Sequence, residues 1–153
     1  MHSSRADPNI AFGTRAKDRN VNEYFILENR QESGRDAALP DAGLAIWHVD
    51  QLGSNNNEQM TPGQHYECSL EQADNRFDLE HAADSGDVGD LYGVATAPKF
   101  GAATAPNSKW WDRTASGLEI EQIAAPGATM TVTTRGGVLP TVAPIPAIVG
   151  LLT

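Results

Sequence analysis

The sequence predicts a mainly β fold: an antiparallel, β-sandwich-like domain with long loops and few short helices. Its 14 glycines and 9 prolines fall between short apolar runs, so the chain turns too often for long helices. Several of those runs are aromatic or branched and alternate with polar residues in period 2, as strands with one wet face do. A length of 153 residues suits one domain with a single modest core. The expected division is a poorly structured segment over 1–22, a β-rich region over 23–135 and an apolar, proline-containing tail over 136–153.

The first 20 residues are basic in places but lack a continuous apolar stretch, so no signal peptide is expected there. The run EYFILEN, Glu23 to Asn29, is the first strand, and GLAIWHVD, Gly43 to Asp50, is the second. Gly34, Pro40 and Asp41 lie in the connection, which is short enough for antiparallel pairing. A polar stretch with three consecutive asparagines follows Asp50 and reads as a surface loop. Tyr66, Cys68 and Leu70 alternate with polar neighbours, predicting a strand within 66–73, with a short helix after it as an alternative. Residues 74–106 show little periodicity over a length too great for an idle connection. Two strands, Leu118 to Ile123 and Thr129 to Thr134, are expected to form a hairpin across Ala124 to Ala128. The terminal VLPTVAPIPAIVGLLT is uncharged, but at 16 residues with three prolines it is short of the roughly 20 that a spanning helix needs. A buried or extended tail and the start of an anchoring segment are both compatible with it.

The formal charge of −9 excludes two partner classes, because such a field repels phosphate backbones and anionic lipid surfaces. Neither nucleic acid nor membrane is expected as a partner. Cys68 is the only cysteine, so no internal disulfide forms, and its place in a strand-like run predicts a small buried hydrophobe.

A peptidase zinc site needs paired imidazoles on one helical face with a carboxylate between them, and no HExxH occurs here. No catalytic residue is therefore assigned. Nucleophile-elbow, P-loop and dinucleotide motifs are also missing. Strand alternation places Ile46, His48 and Asp50 on one face, so His48 and Asp50 are expected to interact, either toward a substrate or metal or as a structural pair. The densest chemical signal is acidic: Asp74, Asp78 and Glu80 are followed by Asp84, Asp87 and Asp90, with Gly86 and Gly89 interspersed. Calcium takes six to eight hard oxygen ligands in flexible geometry, which makes these aspartates candidate ligands; a solvated acidic loop is the competing reading. Trp110 and Trp111 stand side by side in a turn-rich stretch, either touching a substrate or packing on two layers of the fold.

Five blocks occur in order: EYFILENRQ from Glu23, AALPDAGLAIWHVD from Ala37, SLEQAD from Ser69, SGDVGDLY from Ser85 and APNSKWWDRTASGLEI from Ala105. Together they resemble the immune inhibitor A family of secreted bacterial zinc metallopeptidases, over roughly residues 23–134. In that family these blocks lie downstream of the HExxH helix. The resemblance implies an extracellular parent protein whose zinc site is built elsewhere, an upstream catalytic portion as partner, and a protein or peptide substrate. It carries over no catalytic residue, and a fragment of a longer protein is the expected origin. The alternative is a stand-alone calcium- or ligand-binding β-sandwich module.

Overall fold

The structure, a computed structural model, describes the backbone of residues 10–14 and the chain over 22–56 and 60–136. It is mainly β: β1 (Ile10–Thr14), β2 (Glu23–Arg30), β3 (Gly43–Asp50), β4 (Cys68–Leu70), β5 (Glu119–Glu121) and β6 (Thr133–Arg135). A single 3-10 turn, Gly34–Asp36, is the helical structure among the described residues. Strands β1 to β4 form an antiparallel sheet in that order, and β5 and β6 form a second, two-stranded one.

The β2–β3 hairpin is the frame of the molecule. All eight residues of each strand pair, from Glu23 opposite Asp50 to Arg30 opposite Gly43. In β2 the alternation of burial puts Glu23, Phe25 and Leu27 inside. In β3 every residue except Trp47 is buried, because this central strand is covered on both faces. Leu44 and Ile46 join Phe25, Leu27, Tyr92, Phe100, Trp110 and Ile120 in the main core. On the opposite face Ala45 packs with Leu70, Leu91 and Trp47.

Several expectations change. A strand, Ile10–Thr14, lies within the segment read as poorly structured; it pairs with β2 across a bulge between Ile10 and Gly13. The strand expected within 66–73 is confined to Cys68–Leu70, and turns rather than a helix follow it. Cys68 is in the strand but exposed, contrary to its predicted burial. It opens an edge strand of three residues, in which Ser69 and Leu70, on opposite faces, are buried. The last hairpin forms, but with three pairs, Glu119 to Arg135 through Glu121 to Thr133, and a longer connection than the pattern suggested. The apolar tail over 137–153 lies outside the described residues.

Candidate functional site

Two constellations emerge. The first is a buried ionic and aromatic centre on the inner face of the β2–β3 hairpin. His48, 2% exposed, lies between two glutamates: its Nε2 is 2.8 Å from Glu23 Oε1 and its Nδ1 is 3.2 Å from Glu71 Oε1. Glu23 is on the inward phase of β2, and Glu71 follows directly on β4. The same Glu23 oxygen accepts the backbone N–H of Trp111 at 2.7 Å, tying the hairpin to a loop late in the chain. Both ring nitrogens of His48 face carboxylates, an arrangement fully hydrogen-bonded only in the imidazolium form.

Burial alone would push the His48 pKa down, but hydrogen bonds to Glu23 and Glu71 and their negative charges together lift it above its ordinary 6.5. A raised histidine pKa contributes stability that is fully present below the unfolded value and is lost as pH rises through the folded one. The melting temperature of the protein should therefore fall as pH is raised from about 6 toward 9, across that window. A thermal melt series that stays flat or climbs over this range contradicts a charged His48.

Aromatic rings build the rest of the centre. Phe25 stacks on His48 at 4.4 Å between centroids, and Trp110 stacks on Phe25 at 5.4 Å. Trp111 lies parallel to His48 at 5.1 Å and to His65 at 4.5 Å. His65 bonds through Nε2 to Asp50 at 2.9 Å and through Nδ1 to the carbonyl of Thr61 at 3.1 Å. The indole Nε1 of Trp111 is buried without a hydrogen-bond partner.

The predicted His48–Asp50 pair is thus corrected. They do share a strand face, about 6.6 Å apart along the strand, but neither is the other's hydrogen-bond partner. Each finds its partner across the fold: Glu23 and Glu71 for His48, His65 for Asp50. Trp110 and Trp111 both reach this centre, Trp110 within the core and Trp111 between the two histidines. Sequence reading passed over Glu23, Glu71 and His65. The one available signal was Glu23 itself, a glutamate in phase with Phe25 and Leu27 on the face that must point inward.

The second constellation is the acidic loop, where the five predicted aspartates converge as two overlapping trios. Carboxylate oxygens of Asp74, Asp87 and Asp90, and again of Asp78, Asp84 and Asp87, lie within 4.8 Å of one another. Gly86 and Gly89 make the loop possible, with φ of 104° and 127°, a region closed to other residues at little cost. Asp41, not singled out in the sequence, anchors it: its Oδ2 accepts the backbone N–H groups of Gly89 and Leu91 at 3.0 and 3.2 Å. Arg76 lies 3.5 to 3.8 Å from Asp74, Asp78 and Asp87 and offsets part of their repulsion. Burial, followed by the charges of Asp87, Asp74 and Asp84, pushes the Asp90 carboxyl above the ordinary range, although the backbone N–H of Asp87 opposes the shift. Asp87 Oδ1 is sealed from solvent and has no hydrogen-bond partner. Glu80, the sixth acid of the run, instead accepts a hydrogen bond from Gln72.

No protein-family model matches the chain, and no curated protein or solved structure does either.

Proposed function

We propose that this chain is the β-rich, non-catalytic portion of a secreted zinc metallopeptidase of the immune inhibitor A type, stabilised by calcium in its acidic loop. The observation that carries the calcium reading is Asp87 Oδ1, a buried carboxylate oxygen without a partner that lies among two trios of carboxylates. A buried oxygen left in that state costs about 1–3 kcal/mol, and more when charged. A hard dication would satisfy it and quench the repulsion among its neighbours. Asp74, Asp87 and Asp90 would hold the ion, with Asp78 and Asp84 beside them, an all-oxygen donor set suited to calcium rather than zinc.

The parent activity rests on the five ordered sequence blocks. All five contribute to the two constellations: β2, β3, the Ser69 to Asp74 stretch with Glu71 and Asp74, the acidic loop and the Trp110–Trp111 stretch. His48 and His65 have both ring nitrogens engaged by oxygen acceptors, so neither presents a free nitrogen to a metal.

The test uses the purified 153-residue protein. Titrating calcium in a calorimeter should release or absorb heat with a saturable isotherm, and the melting temperature should rise with it. A ligand that binds only the folded state stabilises it by about 2.7 kcal/mol at a hundredfold excess over Kd. Asp87→Asn should abolish both signals. No heat and no melting shift at millimolar calcium removes the metal reading. Zinc-dependent, chelator-sensitive cleavage of casein by the same protein overturns the non-catalytic one.

A further inference from the structure

Beside the histidine centre opens a cavity of about 460 Å³, inside the range that small-molecule sites occupy. Four kinds of observation make it a binding site rather than an accident of loop packing.

Its walls are aromatic and apolar, with Trp110, Trp111, Phe77 and Met60 among them. Its basic residues are Lys109 and Arg113, both exposed, in a chain whose formal charge is −9. Arg30, Arg76 and Arg135 each pair with carboxylates, whereas among the described residues no carboxylate pairs with Lys109 or Arg113. The one acid lining the cavity is Glu71, and its charge is already turned toward His48.

Backbone strain collects at the same place. Six non-glycine residues among those described have φ in the left-handed region, and four of them line this cavity: Met60 at 49°, Asn75 at 62°, Phe77 at 57° and Arg113 at 70°. For a bulky residue such a conformation costs about 1–2 kcal/mol, and it persists where the surroundings over-determine it, at ligand clamps and similar sites. Two strained residues are aromatic or thioether walls, and one carries the guanidinium.

His48 defines what the site can do. With both ring nitrogens bound to glutamates, it is unavailable as a general base, and the cavity is built to hold a ligand rather than to cleave one. Apolar groups pack against the indole and phenyl rings that line it, and an unpaired guanidinium together with an ammonium takes a carboxylate.

We propose that the cavity lined by Trp110, Trp111, Phe77, Lys109 and Arg113 binds a carboxylate carried on an aromatic or large apolar body. A peptide ending in such a residue and a free aromatic acid share this chemistry. The assignment rests on the cavity alone and is independent of the acidic loop and of any parent protein.

Tryptophan fluorescence and calorimetry on the 153-residue protein test it with four probes. These are N-acetyl-phenylalanine, its uncharged amide, 3-phenylpropionate and a hexapeptide ending in phenylalanine. The free acids should bind at least about tenfold more tightly than the amide, which is about 1.4 kcal/mol. Arg113→Gln and Lys109→Gln should each weaken the acids about tenfold while leaving the amide unchanged. Both side chains are exposed, so an unaltered thermal melt confirms that the fold is intact. Tighter binding of the hexapeptide than of phenylpropionate assigns the site to peptide C-termini, and the reverse assigns it to small aromatic acids. An acid-to-amide ratio below about threefold, or no saturable change with any probe at about 10 mM, overturns the proposal.

Discussion

Replacing His48 with alanine should destabilise the protein by about 3–5 kcal/mol, because the substitution leaves two buried carboxylates without their shared cation. Glu23 is 3% exposed and Glu71 7%, so neither carboxylate is well hydrated in the folded state. Glu23 retains the Trp111 amide as a donor, so the larger uncompensated burden falls on Glu71. Urea denaturation at neutral pH measures the loss. The triple variant His48→Ala, Glu23→Gln, Glu71→Gln should recover a substantial part of it, since neutral amides are far less costly to bury unpaired than carboxylates. A loss below about 1 kcal/mol for His48→Ala would show that the glutamates are solvated, and the description of an ionic centre would fail.

The second large effect concerns Phe25. Its ring is fully buried and touches three others, with centroids 4.4 Å from His48, 5.5 Å from Phe100 and 5.4 Å from Trp110. Phe25→Ala should cost about 3–5 kcal/mol, combining lost transfer energy with the cavity left behind. The neighbouring Ile26 gives an internal control, because it lies on the outer, partly exposed phase of the same strand. Ile26→Ala should cost distinctly less than Phe25→Ala in the same urea titration. Equal costs, or the reverse order, would mean that the β2 faces are assigned the wrong way round.

The fold was legible where the pattern is local. In Glu23 to Asn29 and Gly43 to Asp50, aromatic and branched residues and the bounding turn residues agree, and the observed strands, Glu23–Arg30 and Gly43–Asp50, cover both runs. Agreement thins where strands are short. Cys68 sits in a run with the right alternation and shares a face with buried Leu70, yet as the first residue of a three-residue edge strand it is exposed. The aspartates of the acidic loop were visible as a compositional block, but their grouping into two trios sharing Asp87 depends on how Gly86, Gly89 and Asp41 fold the loop. The histidine centre was the least legible part. Its partners stand 23 and 25 residues from His48 in the chain, and nothing in local spacing distinguishes Glu71 from the other acids near it.

The hydrogen bond from the Trp111 amide to Glu23 spans 88 positions. Contacts of that separation are slow to form, because a long loop must close before anything rewards its closure. The β2–β3 hairpin can zip up from its own turn, whereas Glu23 acquires its second donor only after most of the intervening chain has condensed around it. The interior around His48 is therefore expected to close only once the Trp111 loop has arrived.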